Sequence, residues 1–315
     1  MVLTADNYYT ADADREYMSC SQYQRFCECE AKAMAILEGR WQEESREAFI
    51  VGNYFHTAME SEAAHEAFMQ EHYEDIFKKA RKKDAPPEKY APYVQADKMI
   101  DVARRDPLIH SLISMPGENE KIITGELFGV PWRARLDKYV SAGRLIIDWK
   151  TVSNIAELRW SDELHAKVTF IDSYGYMMRA AVYTELEKQY AGSKEDASFI
   201  IVAISKQDYP DKEALLLNHR QRYDYELEQI KDRLAMIQSV KTGRVMAKRC
   251  GRCDYCRATK QLQEIRPYYT LMPEFWEGRE DEYDQGTVLD NPQTAAAVGD
   301  LPAVSSVDQV DPPVG

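Results

Sequence analysis

The sequence predicts an α/β (α+β) fold: a helical first third, a three-stranded antiparallel meander, a further helix and a buried strand. Three observations predict it. Apolar residues recur at helical spacing as far as about residue 114. Between residues 121 and 152 the pattern switches to alternation. The run SFIIVAIS (198–205) is apolar and rich in β-branched residues, which suits a strand buried on both faces.

Residues 1–18 read as irregular. Ser19 or Ser21 can cap a helix running through QYQRFCECEAKAMAILEGR to Gly39. A second helix, with room for an interruption, fits about 43–80, and DAPPEKYAP (84–92) ends it because proline cannot continue a helix. A third covers about 95–114. The stretches KIITGELFG, VPWRARLDKYV and GRLIIDWKTV read as three strands, and the short turns FGVP and SAG make them antiparallel neighbours. A helix over about 163–190, the 198–205 strand and a long helix over about 212–240 follow. The expected organisation is an irregular 1–18, one domain over 19–270 closed by a cysteine cluster, and an acidic, mostly disordered tail over 271–315.

A chain of 315 residues with 44% apolar and 11% aromatic content can bury a substantial core. Its mean hydropathy is −0.55 and it has no run of eighteen apolar residues, which argues against a membrane span. The N-terminus lacks a basic region followed by an apolar one, so a cytoplasmic location is expected. The net charge of −13 speaks against a nucleic-acid partner until its distribution is read. From Glu274 to Gly315 there are ten acidic residues and one basic, Arg279, a net of −9, so the other 273 residues carry only −4. A local basic surface is compatible with that balance. KKARKK (78–83) and the segment from Lys241 to Lys260 are the basic stretches, and a solvated helix face explains the first as well.

In LIIDWKTV (145–152), Ile146, Asp148 and Lys150 share one face of a strand. In the strand before it Arg133, Arg135 and Asp137 share a face. A short turn between the two can bring Asp137 and Asp148 together, and two carboxylates that close need a cation or a proton between them. Oxygen ligands with open water positions suit Mg²⁺ or Mn²⁺. Lys150 would then stand beside the attacking water or the phosphate. Taken alone, the Asp148–Lys150 pair reads first as a solvated strand end, because so short a motif matches often by chance.

Four short segments now fall into an order. Gly52-Asn53-Tyr54-Phe55-His56 resembles the G-x-x-x-H motif of RecB-like nucleases. Arg135-Leu136-Asp137 and Asp148-Trp149-Lys150-Thr151 resemble their R-x-D and D-x-K-T segments, and Arg179-Ala180-Ala181-Val182-Tyr183 resembles the Q-x-x-x-Y motif. With SCSQYQRFCECEAKA and CGRCDYCRATK, the chain is similar over about 19–262 to PD-(D/E)xK nucleases, and among them to phage and prophage exodeoxyribonuclease VIII (RecE-like) proteins. The resemblance implies a restriction-endonuclease-like core and metal-dependent exonuclease activity on linear duplex DNA. It implies His56, Asp137 and Asp148 as metal ligands, and Asp137, Asp148, Lys150, Arg179 and Tyr183 as catalytic residues. It further implies a partner single-strand annealing protein of the RecT type, phage or prophage origin, and ring-shaped self-assembly as in related phage exonucleases. Arg179 departs from the family glutamine; on a helix it still shares a face with Tyr176 and Tyr183, and arginine can bind a phosphate bidentately. Glu60, one turn after His56, is left out of the set, and Glu126 on the first strand has no face assigned.

The six cysteines fall into two groups, Cys20, Cys27 and Cys29 early and Cys250, Cys253 and Cys256 late. A cytosolic chain would not tie them into disulfides. Cys250, Cys253 and Cys256 form a C-x₂-C-x₂-C run, which favours a soft metal and requires a fourth ligand. Some RecB-like nucleases resemble this arrangement, with one cysteine before the core and three after it holding a [4Fe–4S] cluster. By that resemblance Cys29 is the fourth ligand, with Cys27 and Cys20 as alternatives and zinc as the alternative metal. Two other functions fit the same features: a DNA-end-binding adaptor with a weakened nuclease, and a CRISPR-adaptation type of RecB-like nuclease.

Overall fold

The computed structural model describes residues 1–42, 46–79, 86–161, 165–262 and 268, with the backbone alone for 46–49. The acidic tail, where disorder is expected, lies outside the described residues. Two compact units divide the chain, 1–249 and 250–315. The first therefore takes in the N-terminal eighteen residues and stops ahead of Cys250, whereas one domain over 19–270 is the sequence expectation.

In the first unit the helical part comprises α1 (Ala11–Glu16), α2 (Cys20–Glu28), α3 (Glu30–Leu37), α4 (Arg46–Glu60), α5 (Glu62–Glu71), α6 (Tyr73–Ile76), α7 (Ala91–Arg105) and α8 (Pro107–Ser114). The meander follows as β1 (Glu118–Leu127), β2 (Val130–Val140) and β3 (Leu145–Val152). A small hairpin, β4 (Arg159–Ser161) and β5 (Ala166–Val168), precedes α9 (Phe170–Ser173) and α10 (Tyr176–Ala191). Then come β6 (Ser198–Ser205), β7 (Lys212–Leu217) and α11 (Arg220–Lys241).

The expected helix–meander–helix–strand plan is present, with five differences. The helix expected over about 163–190 begins only at α9, because Ala166–Val168 pairs with Arg159–Ser161 as the β4–β5 hairpin. Residues 1–18 are not irregular throughout: Thr10 caps α1 by accepting the Ala13 N–H. The helix expected over 19–39 begins at the Ser19 cap but breaks at Cys29, whose backbone is extended (φ −163°, ψ 107°). The 95–114 helix is two helices because Asp106 leaves helical geometry ahead of Pro107 and caps α8 through Leu108 N and Ile109 N. Lys212–Leu217 is a strand and not the start of a long helix: KEALLL fits either period, and pairing with the open edge of β6 decides it.

The sheet order is β1-β2-β3-β6-β7, antiparallel except for the parallel pair β3–β6. Its two faces bury separate cores. One gathers Trp132, Ala134, Leu136, Ile146 and Phe199 with side chains of α2, α10 and α11. The other gathers Ile147, Trp149, Val202 and Ile204 with Tyr54, Phe55 and Met59 of α4 and Tyr93, Ala96 and Met99 of α7.

One irregularity positions the site. Pairing of β2 with β3 stops at Lys138↔Ile147, although β3 continues beside β6 to Val152. The two strands part after that point, and Met18 occupies the vacated edge of β2, donating to Pro131 O and accepting from Arg133 N. On the other side of β2 the ladder skips the pair Glu120–Asp137, and Glu120 has a left-handed backbone (φ +52°). Regular alternation fails here: Leu136 and Tyr139, three residues apart, belong to the same core.

Candidate active site

Asp137 lies where β2 and β3 part. Its Oδ2 accepts the Trp149 N–H at 2.9 Å, so a side chain replaces the strand carbonyl that would have paired there. The same oxygen is 3.3 Å from His56 Nδ1 and 3.5 Å from Lys150 Nζ. Burial pushes the Asp137 carboxyl up, but Lys150, His56 and the Trp149 N–H outweigh it and hold the group below the usual range.

Asp148 and Lys150 share the β3 face that the alternation requires, with Lys150 Nζ 2.6 Å from Asp148 Oδ2. Lys150 also donates to the Trp149 carbonyl at 3.2 Å. Asp148 is 1% exposed, and its Oδ2 accepts no hydrogen bond of good geometry despite the nearby ammonium. A buried carboxylate oxygen left so is costly and is the kind of group a cation satisfies. Arg179 Nη1 stands 3.8 Å from Asp148 Oδ1. Both Lys150 Nζ and the Arg179 guanidinium lie 5.8 Å from the centre of the Tyr176 ring.

His56 is held by its own turn of α4. Tyr54 is fully buried and donates to Asp97 Oδ1 of α7 at 2.6 Å, while Lys89 Nζ bonds both groups. That network fixes the rotation of α4 and presents His56 to Asp137. Burial lowers the His56 pKa against the opposing pull of Asp137, which favours the neutral ring a metal needs.

The structure thus brings together His56, Asp137, Asp148, Lys150 and Arg179. Tyr183 lies one turn beyond Arg179 on α10, buried with its ring 6.2 Å from Phe199. No hydrogen bond joins its hydroxyl to a site residue among the described residues. Glu126 pairs with Pro131 at the far end of β1, next to Gln189. The first-strand carboxylate at the site is Glu120 instead. Its Oε2 is 2.5 Å from Arg135 Nε, and burial, with Asp137 and Glu60 beside it, pushes its pKa up to about 7 against the pull of Arg135. No sequence signal singles out Glu120, because its direction depends on the left-handed backbone there.

Of the basic stretches, Lys241 does not face solvent as a surface cation would. It donates to Tyr17 O and Gln22 Oε1.

The cysteines are divided between the two units. In the first, Cys20 is buried, and burial pushes its thiol up to about 12, the state of an inert core cysteine; Cys27 is exposed. Cys29 is buried, with Sγ 4.0 Å from Lys248 O. The 248 backbone is stitched to the start of α3, Ala31 N donating to Lys248 O and Lys248 N to Glu30 Oε2. In the second unit, Cys250 Sγ accepts the Cys253 N–H and Cys253 Sγ accepts the Cys256 N–H at the start of α12 (Asp254–Ala258). Gly251 supplies the positive φ (+75°) that the turn requires. The Cys250 and Cys256 sulfurs are 3.9 Å apart. Three sulfurs gathered with N–H groups donating to two of them fit a bound soft metal.

The family of PDDEXK-like domains of unknown function, DUF3799, matches residues 19–259. The chain belongs to this family. A crystal structure described as a "Putative exonuclease" from Eubacterium rectale is 31% identical, with a TM-score of 0.77 over 86% of this chain and 98% of that one. A second solved structure, SSO0001, reaches a TM-score of 0.29 at 14% identity over 75% of this chain and 91% of that one, too low to carry an argument. No protein of curated function matches. The DUF3799 chain thus has the PD-(D/E)xK nuclease fold expected from its motifs. Among its described residues no helix is long and apolar enough to cross a membrane.

Proposed function

We propose that this DUF3799 protein is a Mg²⁺- or Mn²⁺-dependent deoxyribonuclease, an exonuclease that resects linear duplex ends. The observation that carries the reading is Asp148: a buried carboxylate whose Oδ2 lacks a directed hydrogen bond, set beside Asp137, His56 and Lys150. His56, Asp137 and Asp148 would hold the cation. When bound, it polarises a phosphoryl oxygen and acidifies a water.

This chain's residues do the rest. Asp148 and Asp137 together hold the Lys150 ammonium in one place, so that it can offset charge growing on the phosphate in the transition state. Arg179 and Tyr176 close the α10 side of the site. Water oxygen bonds to phosphorus and releases a proton to solvent, the ester bond to the departing nucleotide breaks, and the departing oxygen takes up a proton from solvent. In phage-type recombination the exposed strand would pass to an annealing partner of the RecT type. The likeness to a structure described as an exonuclease supports action from ends.

Cys29, Cys250, Cys253 and Cys256 would form a structural [4Fe–4S] or zinc site. Support comes from the N–H···S pattern of the late group and from the tie of Cys29 to Lys248, two residues before Cys250. Protein purified without air is expected to be brown and to carry iron, and Cys29→Ser to lose it. Colourless protein with one zinc would exclude the cluster and leave the nuclease standing.

One observation favours a second reading. Arg179, close to Asp148, competes with a metal for it, as it would in a DNA-end-binding adaptor with weakened cleavage. Digestion of linear against covalently closed circular duplex in Mg²⁺ decides. The exonuclease degrades only the linear form, equal cleavage of both contradicts end dependence, and tight binding without cleavage selects the adaptor.

A further inference from the structure

The N-terminal segment forms a wall beside the site. Arg135, two residues before Asp137 on β2, is layered between Glu120 and Tyr9. Its Nε is 2.5 Å from Glu120 Oε2, and its guanidinium carbon is 4.8 Å from the centre of the Tyr9 ring. Tyr8 is buried, takes the Arg133 guanidinium at 4.6 Å, and meets Tyr9 edge-on at 5.0 Å and 84°. Arg133 is tied in turn to Asp14 of α1.

The turn carrying these tyrosines is fixed from both ends. Thr4 N donates to Asn7 Oδ1, Asn7 Nδ2 to Val2 O, and Thr10 Oγ1 to Asn7 O. Behind it, Met18 is bridged to β2. Yet Tyr9 itself is 65% exposed, and its hydroxyl has no hydrogen-bond partner among the described residues. A large aromatic ring is thus held between the Arg135 guanidinium and the edge of Tyr8, with most of its surface still open.

We propose that Tyr9 is a nucleobase-stacking platform that seats the nucleotide next to the scissile phosphate. The proposal rests on the nuclease reading and names how that site grips its strand. Arg135, against which Tyr9 rests, stands roughly 7 Å along β2 from Asp137, which puts the ring on the flank of the site where a neighbouring nucleotide would lie. Every base has a π-face, so the contact is indifferent to sequence, as an end-resecting enzyme requires. Because Arg135 is already paired with Glu120, its part is to hold the ring and not to bind phosphate; it is a positioning residue. The preformed turn spares the ordering cost that a flexible loop would meet on binding.

The test uses the full chain with Ca²⁺ in place of Mg²⁺ and fluorescein-labelled DNA with a single-stranded end, read by anisotropy. Base–aromatic stacking is worth about 1–3 kcal/mol. Tyr9→Ala is therefore expected to weaken binding about tenfold, whereas Tyr9→Phe stays within about twofold of the parent. In the parent protein, 2-aminopurine at the terminal position should lose fluorescence on binding, and the same probe ten nucleotides inward should not. Unchanged DNA affinity in Tyr9→Ala, or equal loss in Tyr9→Phe, overturns the platform. So does 2-aminopurine that stays bright when the parent binds, a result that needs no variant to fold. Absence of DNA hydrolysis by the parent in Mg²⁺ counts against the nuclease reading alone, because stacking is measured by binding.

Discussion

Arg179 sets the balance of charge around Asp148. Its guanidinium, 3.8 Å from Oδ1, occupies part of the field that a divalent cation would use, while Lys150 holds the other oxygen. Arg179→Gln removes a competing positive charge next to a buried carboxylate. The Mg²⁺ concentration for half-maximal cleavage is expected to fall severalfold in this variant, measured by metal titration on linear duplex; an unchanged or raised requirement would show that Arg179 serves the substrate instead. Asp148 and Lys150 were legible in the sequence because they are adjacent on one strand face, and Asp137 because it lies one hairpin away. Glu120 and Tyr9 were not legible. The first depends on a left-handed residue that interrupts a ladder, the second on a short N-terminal turn with no periodicity to read.

At the scale of elements, the parting of β2 and β3 makes the site, and the connections around it are tight. Gly117, entering β1, has the Tyr139 carbonyl oxygen 2.6 Å from where a Cβ would stand, so backbone must move to admit a methyl group. Gly117→Ala is expected to destabilise the protein by about 1–3 kcal/mol in denaturant unfolding. Lys241, in the last turn of α11, supplies a pH prediction. Burial lowers its pKa to about 8, against the pull of Asp14 and with that of Arg133. Between about 8 and the free-lysine value near 10.4 the unfolded chain holds a proton that the folded one has lost, so stability rises with pH through this window. Lys241→Met should remove that rise relative to the parent, read as melting temperature against pH; parallel curves would contradict it. KEALLL shows why elements are harder to read than motifs. Its apolar residues satisfy both periods, and only the open edge of β6, a tertiary fact, makes it a strand.

At the scale of the whole molecule, the helix–meander–helix–strand order was legible because each change of period is long, and the family match over residues 19–259 agrees with it. The ends of the domain were less so: α1 and the Met18 bridge tie the first residues into the sheet by contacts that no local pattern announces. The central claim is that a PD-(D/E)xK site built from His56, Asp137, Asp148 and Lys150 hydrolyses DNA. Its most direct test is the rate of nucleotide release from linear duplex in Mg²⁺ for the parent and Lys150→Ala, with DNA binding in Ca²⁺ measured alongside. Lys150→Ala is expected to lose about a hundred- to a thousandfold in rate, the size seen when a group stabilising transition-state charge is removed, with binding kept within about threefold. Full activity in Lys150→Ala, or no nucleotide release by the parent, would contradict it.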